Sequence, residues 1–209
     1  RYPTLLDKFV DALRMLEGAY SLICSTPAGM IACRDPLGIR PLVLGDLEGS
    51  PILASETCAL DLIGARYVRD VEPGEVLVVG RTGSRSYRPF RPEHPCHCVF
   101  EHVYFARPDS LVFGQSVNEV RTNLGRLLAR EAPADADVVV PVPDSGMCAA
   151  VGYAEESSLP LRMGLIRNHY VGRTFIAPQQ EIRGFRVRVK LNPVRSILEG
   201  KRVILVDDS

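Results

Sequence analysis

The sequence has no net charge, no apolar run long enough to cross a bilayer and no cysteine framework. Its 25 basic and 25 acidic side chains balance, which argues against a nucleic-acid binder driven by bulk electrostatics and leaves only local patches to be read. A spanning helix needs about 20 consecutive apolar residues, and nothing here approaches that. Six cysteines in 209 residues do not make a disulfide scaffold. Cys24, Cys33, Cys58 and Cys148 sit inside apolar segments, where a free thiol behaves as a small buried hydrophobe. That usage points to a reducing, cytoplasmic compartment. No charged-then-apolar leader and no initiator Met opens the chain, and it stops at Ser209, where a strand-to-helix loop should begin. A piece of a longer protein is expected. There is no internal repeat, and 46% hydrophobic content gives ample core for one large domain or two modest ones.

What is present changes character along the chain. Leu5, Leu6, Phe9, Val10, Leu13 and Leu16 recur at helical spacing, so an amphipathic helix is expected over Thr4–Glu17, with Thr4 as N-cap and Gly18 closing it. Short strands follow: Ala19–Cys24, Met30–Cys33, Pro41–Leu44, Ile52–Ala54, Tyr67–Asp70 and Glu75–Val79, with a helix near Thr57–Ile63. Turn signals between them predict antiparallel meanders, hence an α+β first part. From Arg81 to Pro95 the chain is rich in Arg, Pro, Ser and Gly and has almost no apolar periodicity. It reads as a linker, dividing residues 1–92 (with linker 81–92) from 93–209. Beyond it, strands alternate with helices: helix Val117–Glu131 with Val120, Leu124, Leu127 and Leu128 on one face, strand Val138–Val142, helix Met147–Glu156, strand Leu161–Ile166, a short helix opened by Asn192-Pro193, and strand Val203–Val206. This is the grammar of an α/β parallel sheet.

Three features of the second part converge. Val203–Val206, expected to be buried on both faces, delivers Asp207 and Asp208 to a strand end, where ligands of open α/β sheets sit. Pro143-Asp144-Ser145-Gly146 also follows a strand and precedes a helix, so a hydroxyl and helix-start N–H groups stand there. If the two strands are parallel in one sheet, both loops share a rim. Between Arg162 and Lys190, seven basic side chains (Arg162, Arg167, Arg173, Arg183, Arg186, Arg188, Lys190) face Glu181 alone. Such an excess in a neutral protein suits a small polyanion, since arginine forks match phosphate oxygens. Each feature alone has an ordinary reading: a helix cap, a plain turn, a solvated surface. Together they point to a Mg²⁺–sugar-polyphosphate site. His94, Cys96, His97, Cys98 and His102 are weighed as a zinc site. Cys-x-Cys lacks the usual two-residue gap and a second ligand pair, so a chance cluster of thiols is favoured.

Several long segments carry a resemblance: Tyr104-Phe105-Ala106-Arg107-Pro108-Asp109-Ser110, Asn168 through Ile176 and Val203 through Ser209 in the second part, and Glu17 through Ser21, Arg34 through Leu42 and Ala54-Ser55-Glu56 in the first. In family order and over nearly the whole chain, they resemble the glutamine phosphoribosylpyrophosphate amidotransferases. The resemblance implies part of an N-terminal-nucleophile glutaminase domain of αββα type, followed by the first part of a type I phosphoribosyltransferase domain. It implies the first committed step of purine biosynthesis: glutamine, phosphoribosylpyrophosphate and water give phosphoribosylamine, glutamate and pyrophosphate, ammonia passing through an internal channel. Asp207 and Asp208 are then assigned to the ribose hydroxyls and Mg²⁺, and Ser145 to the Mg²⁺ site. Tyr170, Arg173, Arg167 and Lys190 belong to a loop over the sugar phosphate. Cys98 aligns with a ligand of the [4Fe-4S] cluster that some members carry. His169 stands where many members have Arg. The nucleophilic cysteine and the phosphate loop after Asp207-Asp208 are not within these 209 residues, so the chain alone is expected to be inactive. Purine nucleotide inhibitors and a homo-oligomer are implied for the full-length protein. Two other readings are a non-catalytic regulator that senses phosphoribosylpyrophosphate and a receiver-type Mg²⁺ phosphotransfer protein. Neither accounts for Arg34–Leu42 and Ala54–Glu56.

Overall fold

The structure, a computed structural model, describes residues 4–80, 83–168 and 190–208. It is mixed α/β with several small sheets and separates into two compact units, residues 1–117 and 118–209.

In the first unit, helix α1 (Leu5–Leu13) opens with a reciprocal capping box, Asp7 N–H on Thr4 Oγ at 3.2 Å and Thr4 N–H on Asp7 Oδ2 at 2.7 Å. It is a turn shorter than the sequence predicts. Met15 and Leu16 tighten onto the carbonyls three residues back, a 3₁₀-type ending, before Gly18 turns the chain at φ +93°. Strands β1 (Ser21–Thr26), β2 (Gly29–Arg34), β3 (Val43–Leu47), β4 (Ser50–Ala54), β5 (Arg66–Asp70), β6 (Val76–Gly80) and β7 (Gly83–Tyr87) form two antiparallel sheets, ordered β1-β2-β6-β7 and β4-β3-β5. Alternation along β2 and β6 sorts the core. Ile31, Cys33 and Val76 lie under the apolar stripe of α1, while Ala32, Leu77 and Val79 meet Leu42, Leu44 and Val71 on the other face. Helix α2 (Thr57–Leu62) packs Leu60 on Val43 of the second sheet. The unit is thus layered helix, sheet, sheet, helix.

Two expectations fail here. Residues 83–87, expected within a linker, form β7, paired with β6 from Val76↔Tyr87 to Gly80↔Gly83. An edge strand needs no buried alternation: Ser84, Arg85 and Ser86 are exposed and only Tyr87 packs beneath α1. Cys24, expected to be buried, is exposed on β1, whereas Cys33 and Cys58 are buried. By their contacts, residues 93–117 cluster with the first unit. Cys96 and Cys98 donate their N–H groups to Leu37 and Ile39 carbonyls at 2.8 and 3.0 Å. A π-helical turn (Glu101–Phe105) and a hairpin of β8 (Leu111–Val112) and β9 (Gln115–Ser116) then lead into helix α3.

The second unit holds α3 (Val117–Glu131), β10 (Val138–Pro141), α4 (Met147–Ser157), β11 (Leu165–Arg167), β12 (Leu191–Pro193), α5 (Arg195–Leu198) and β13 (Val203–Val206). Strands β10 and β13 are parallel, and Leu161 forms a parallel bridge to Val139. Val139, Val206, Ala150, Tyr153 and Ala129 make the core. The expected leucine stripe of α3 is exposed at Leu124, Leu127 and Leu128. The buried face carries Arg121, Gly125 and Ala129 instead, because α3 meets α4 at backbone range: a Cβ on Gly125 or Gly152 would lie 1.9 or 1.8 Å from a carbonyl oxygen of the other helix. Only the end of the expected Leu161–Ile166 strand forms β11, which pairs antiparallel with β12. Asn192 and Pro193 therefore lie in a strand, and α5 starts after Val194. Leu205 is 60% exposed, so β13 is not covered on both faces by the described residues.

Candidate functional site

The second unit builds a rim where its parallel strands end. The register runs Val138↔Val203 through Pro141↔Val206, so both chains leave the sheet at the same level and in the same direction. Beyond β10 lie Pro143, Asp144, Ser145 and Gly146; beyond β13 lie Asp207 and Asp208. Two backbone contacts set their spacing. Val142 N–H donates to the Val206 carbonyl at 2.8 Å, and Gly146 N–H returns to the Val142 carbonyl at 3.0 Å. Gly146 passes so close to β13 that a Cβ there would stand 2.2 Å from the Val206 oxygen. Glycine lets the loop lie against the acidic strand end, and α4 begins one residue later. Ser145 and Asp208 are half-buried, and Asp144 and Asp207 are exposed. The peptide between Pro143 and Asp144 is cis.

A cationic side chain closes on this rim. Arg167, at the end of β11, donates from its guanidinium to Asp144 Oδ2 at 2.6 Å, while its Nε is buried without a hydrogen-bond partner among the described residues. Asn168 N–H bonds the Lys190 carbonyl at 2.8 Å, so Arg167 and Lys190 stand together at the base of the β11–β12 hairpin. Of the residues assigned from sequence, Asp207, Asp208 and Ser145 come to one rim. Arg167 reaches it through Asp144, and Lys190 flanks Arg167. Tyr170 and Arg173 lie outside the described residues. The Asp144–Arg167 pair was not foreseen; the two are 23 positions apart and only the fold joins them.

Cys98 lies in the first unit, half-buried. Its neighbours point elsewhere. Cys96 Sγ contacts the His94 carbonyl, His97 stacks on Phe113 at 3.9 Å, and His102 Nε2 lies 3.2 Å from the Val112 carbonyl. Burial, helped by nearby Arg34, holds His97 below the usual imidazole range. Among the described residues no three His, Cys, Asp or Glu side chains converge as a metal cage. Close by, buried Glu101 is paired with Arg40, whose guanidinium lies 4.7 Å from the Phe105 ring centre. Burial nonetheless leaves the Glu101 carboxyl above its ordinary range.

No family model matches the chain. Over its whole length it is 55% identical to the amidophosphoribosyltransferase of Rhizobium etli, of which it covers 43%, and 56% identical to the chloroplastic amidophosphoribosyltransferase of Glycine max, of which it covers 37%. Over 99% of its length it is 52% identical to the amidophosphoribosyltransferase of Mycobacterium tuberculosis, covering 39% of it. The chain thus spans about two fifths of the length of the curated relatives it matches. All of it superimposes, with a TM-score of 0.92 and 48% identity, on 46% of the glutamine phosphoribosylpyrophosphate amidotransferase from B. subtilis solved with ADP and GMP.

Proposed function

The chain belongs to the amidophosphoribosyltransferases, and we propose that in the full-length protein it joins the later part of a glutaminase domain to the first part of a phosphoribosyltransferase domain. The helix–sheet–sheet–helix layering of the first unit supports the αββα assignment. The parallel β10–β13 pair supports the phosphoribosyltransferase assignment. The reaction is the hydrolysis of glutamine to glutamate and ammonia, followed by displacement of pyrophosphate from C1 of phosphoribosylpyrophosphate by that ammonia. Residues 1–209 supply the ribosylpyrophosphate rim and not the glutaminase nucleophile.

The observation that carries this reading is the register that sets Asp207-Asp208 and the Ser145 loop side by side. In it, Asp207 and Asp208 accept hydrogen bonds from the ribose hydroxyls and fix the sugar beside the sheet edge. Arg167 and Lys190 offset the charge of the phosphates, with Tyr170 and Arg173 assigned to the same task by resemblance alone. The donors here are hard oxygens, the Asp207 and Asp208 carboxylates and the Ser145 hydroxyl. Such a set suits Mg²⁺ held by one or two carboxylates plus substrate oxygens better than a closed protein cage. Bound there, Mg²⁺ would offset charge on the leaving pyrophosphate. An iron–sulfur cluster does not fit the described residues by themselves, because among them no three His, Cys, Asp or Glu side chains gather around Cys98. The six free thiols support a reducing compartment, read as the cytoplasm. Among the described residues no helix is long and apolar enough to cross a membrane. The ADP and GMP of the B. subtilis structure support purine nucleotide ligands, and a homo-oligomer rests on the resemblance.

The test is titration of phosphoribosylpyrophosphate with Mg²⁺ into the full-length enzyme and its Asp207→Asn variant. Loss of a charged acceptor should weaken binding by roughly tenfold or more. Equal binding by both proteins would remove the role given to Asp207.

A further inference from the structure

Glu56 and Thr57 open helix α2, yet neither is explained there. Glu56 occupies the N-cap position and its side chain caps no N–H of its own helix. Instead, Glu56 Oε2 accepts the Arg107 backbone N–H at 2.8 Å and the Ser110 hydroxyl at 2.9 Å. Thr57 Oγ1 accepts the Leu111 N–H at 2.8 Å. Two adjacent side chains thus reach more than 50 positions along the chain to one turn. The chain of contacts continues: the Ser110 carbonyl accepts the N–H of Val117, the first residue of α3, at 3.1 Å. Thr57, Ser110 and Val117 are all buried. The covalent path from the first unit into α3 is therefore pinned at its exit by a carboxylate mounted on α2.

We propose that Glu56, seconded by Thr57, is a positioning residue that fixes the start of α3 and thereby couples glutamine hydrolysis to phosphoribosylamine formation. This deepens the function proposed above and rests on it. A charged acceptor taking one N–H and one O–H hydrogen bond from that turn, with the Cys58 thiol of α2 also 3.8 Å from the same oxygen, is a strong anchor, whereas an exit segment held by apolar contacts alone could slide. Glu56 and the partners named above all lie in the first unit, so its removal changes none of the ribosylpyrophosphate groups themselves. What it changes is how firmly the first unit holds the segment leading to them.

The readout separates coupling from plain stability. Full-length wild type, Glu56→Ala, Glu56→Gln and Ser110→Ala are compared for glutamine hydrolysis, glutamine-dependent synthesis and synthesis from free ammonia. Glu56→Ala should keep ammonia-dependent synthesis within about twofold, while glutamine hydrolysed per phosphoribosylamine formed rises by roughly fivefold or more. Glu56→Gln, which retains an acceptor oxygen, should fall between. An unchanged ratio, or a parallel fall of all three rates, overturns the proposal. If Glu56→Ala does not fold, Ser110→Ala decides, and a wild-type ratio there overturns it equally. Absence of glutamine-dependent synthesis in the wild type would instead sink the function proposed above.

Discussion

The first unit keeps several charges in its interior, and two of them, Arg34 and Glu75, are each held by several partners. Arg34 is 2% exposed and donates to the carbonyls of Arg40, Gly38 and Val71 at 2.7, 2.7 and 2.9 Å. Neighbouring Asp35 accepts the N–H groups of Leu37 and Ile39, so the turn after Arg34 is braced by its own side chains. Glu75 is fully buried, with Arg69 forking onto both oxygens at 2.7 and 2.8 Å and Glu72 N–H on one. Burial would raise its carboxyl; the Arg69 fork and the Glu72 N–H outweigh burial, and the net direction is down. A lowered carboxylate stabilises the fold above its unfolded value and loses that contribution as pH falls through the folded value. Glu75→Gln should therefore cost about 2–3 kcal/mol at neutral pH, discounted because Arg69 is partly exposed. In urea unfolding of the full-length enzyme the gap from wild type should narrow below about pH 4. A gap independent of pH would refute the assignment.

At the scale of elements, the sequence reports the structure wherever one face of a strand or helix meets a core. Apart from β7, the strands of both antiparallel sheets and helices α2 and α4 lie within a few residues of expectation, because their periodicity records burial directly; α3 has the expected bounds. Periodicity fails where burial and hydrophobicity part. The leucines of α3 form the obvious stripe, yet Gly125 and Ala129 face α4, since close backbone approach selects small side chains. Strand β7 was missed because an edge strand of Ser and Arg has no period to show. The α3–α4 contact yields a sharp expectation. Gly152→Ala puts a methyl 1.8 Å from the Thr122 carbonyl oxygen, and neither backbone can yield locally. It should destabilise by about 3 kcal/mol, lowering Tm by several degrees while Arg126–Glu155 and Arg130–Glu156 still bridge the helices. A Tm within one or two degrees of wild type would show that the helices can separate freely.

For the whole molecule, the site was legible to the extent that strand ends are legible. Asp207-Asp208 and Ser145 each follow an apolar run, so a shared rim could be anticipated once the strands were taken as parallel. Arg167 could be seen only as part of a cationic stretch, because its partner Asp144 is fixed by tertiary contact alone. On the proposed function, residues 1–209 carry a ribosylpyrophosphate rim with neither a glutaminase nucleophile nor the phosphate loop that follows Asp207-Asp208. The isolated chain should form no phosphoribosylamine from either glutamine or ammonia, and measurable product would overturn that assignment. The hold of residues 93–117 on the first unit also decides where the protein can be cut. The Arg- and Pro-rich stretch looks like the natural seam, but severing there would strip the Cys96–Cys98 run from Leu37 and Ile39 and leave Arg40 without Glu101. The seam that spares both halves lies at the head of α3, some 25 residues further on, so dissection of this protein by truncation should start there.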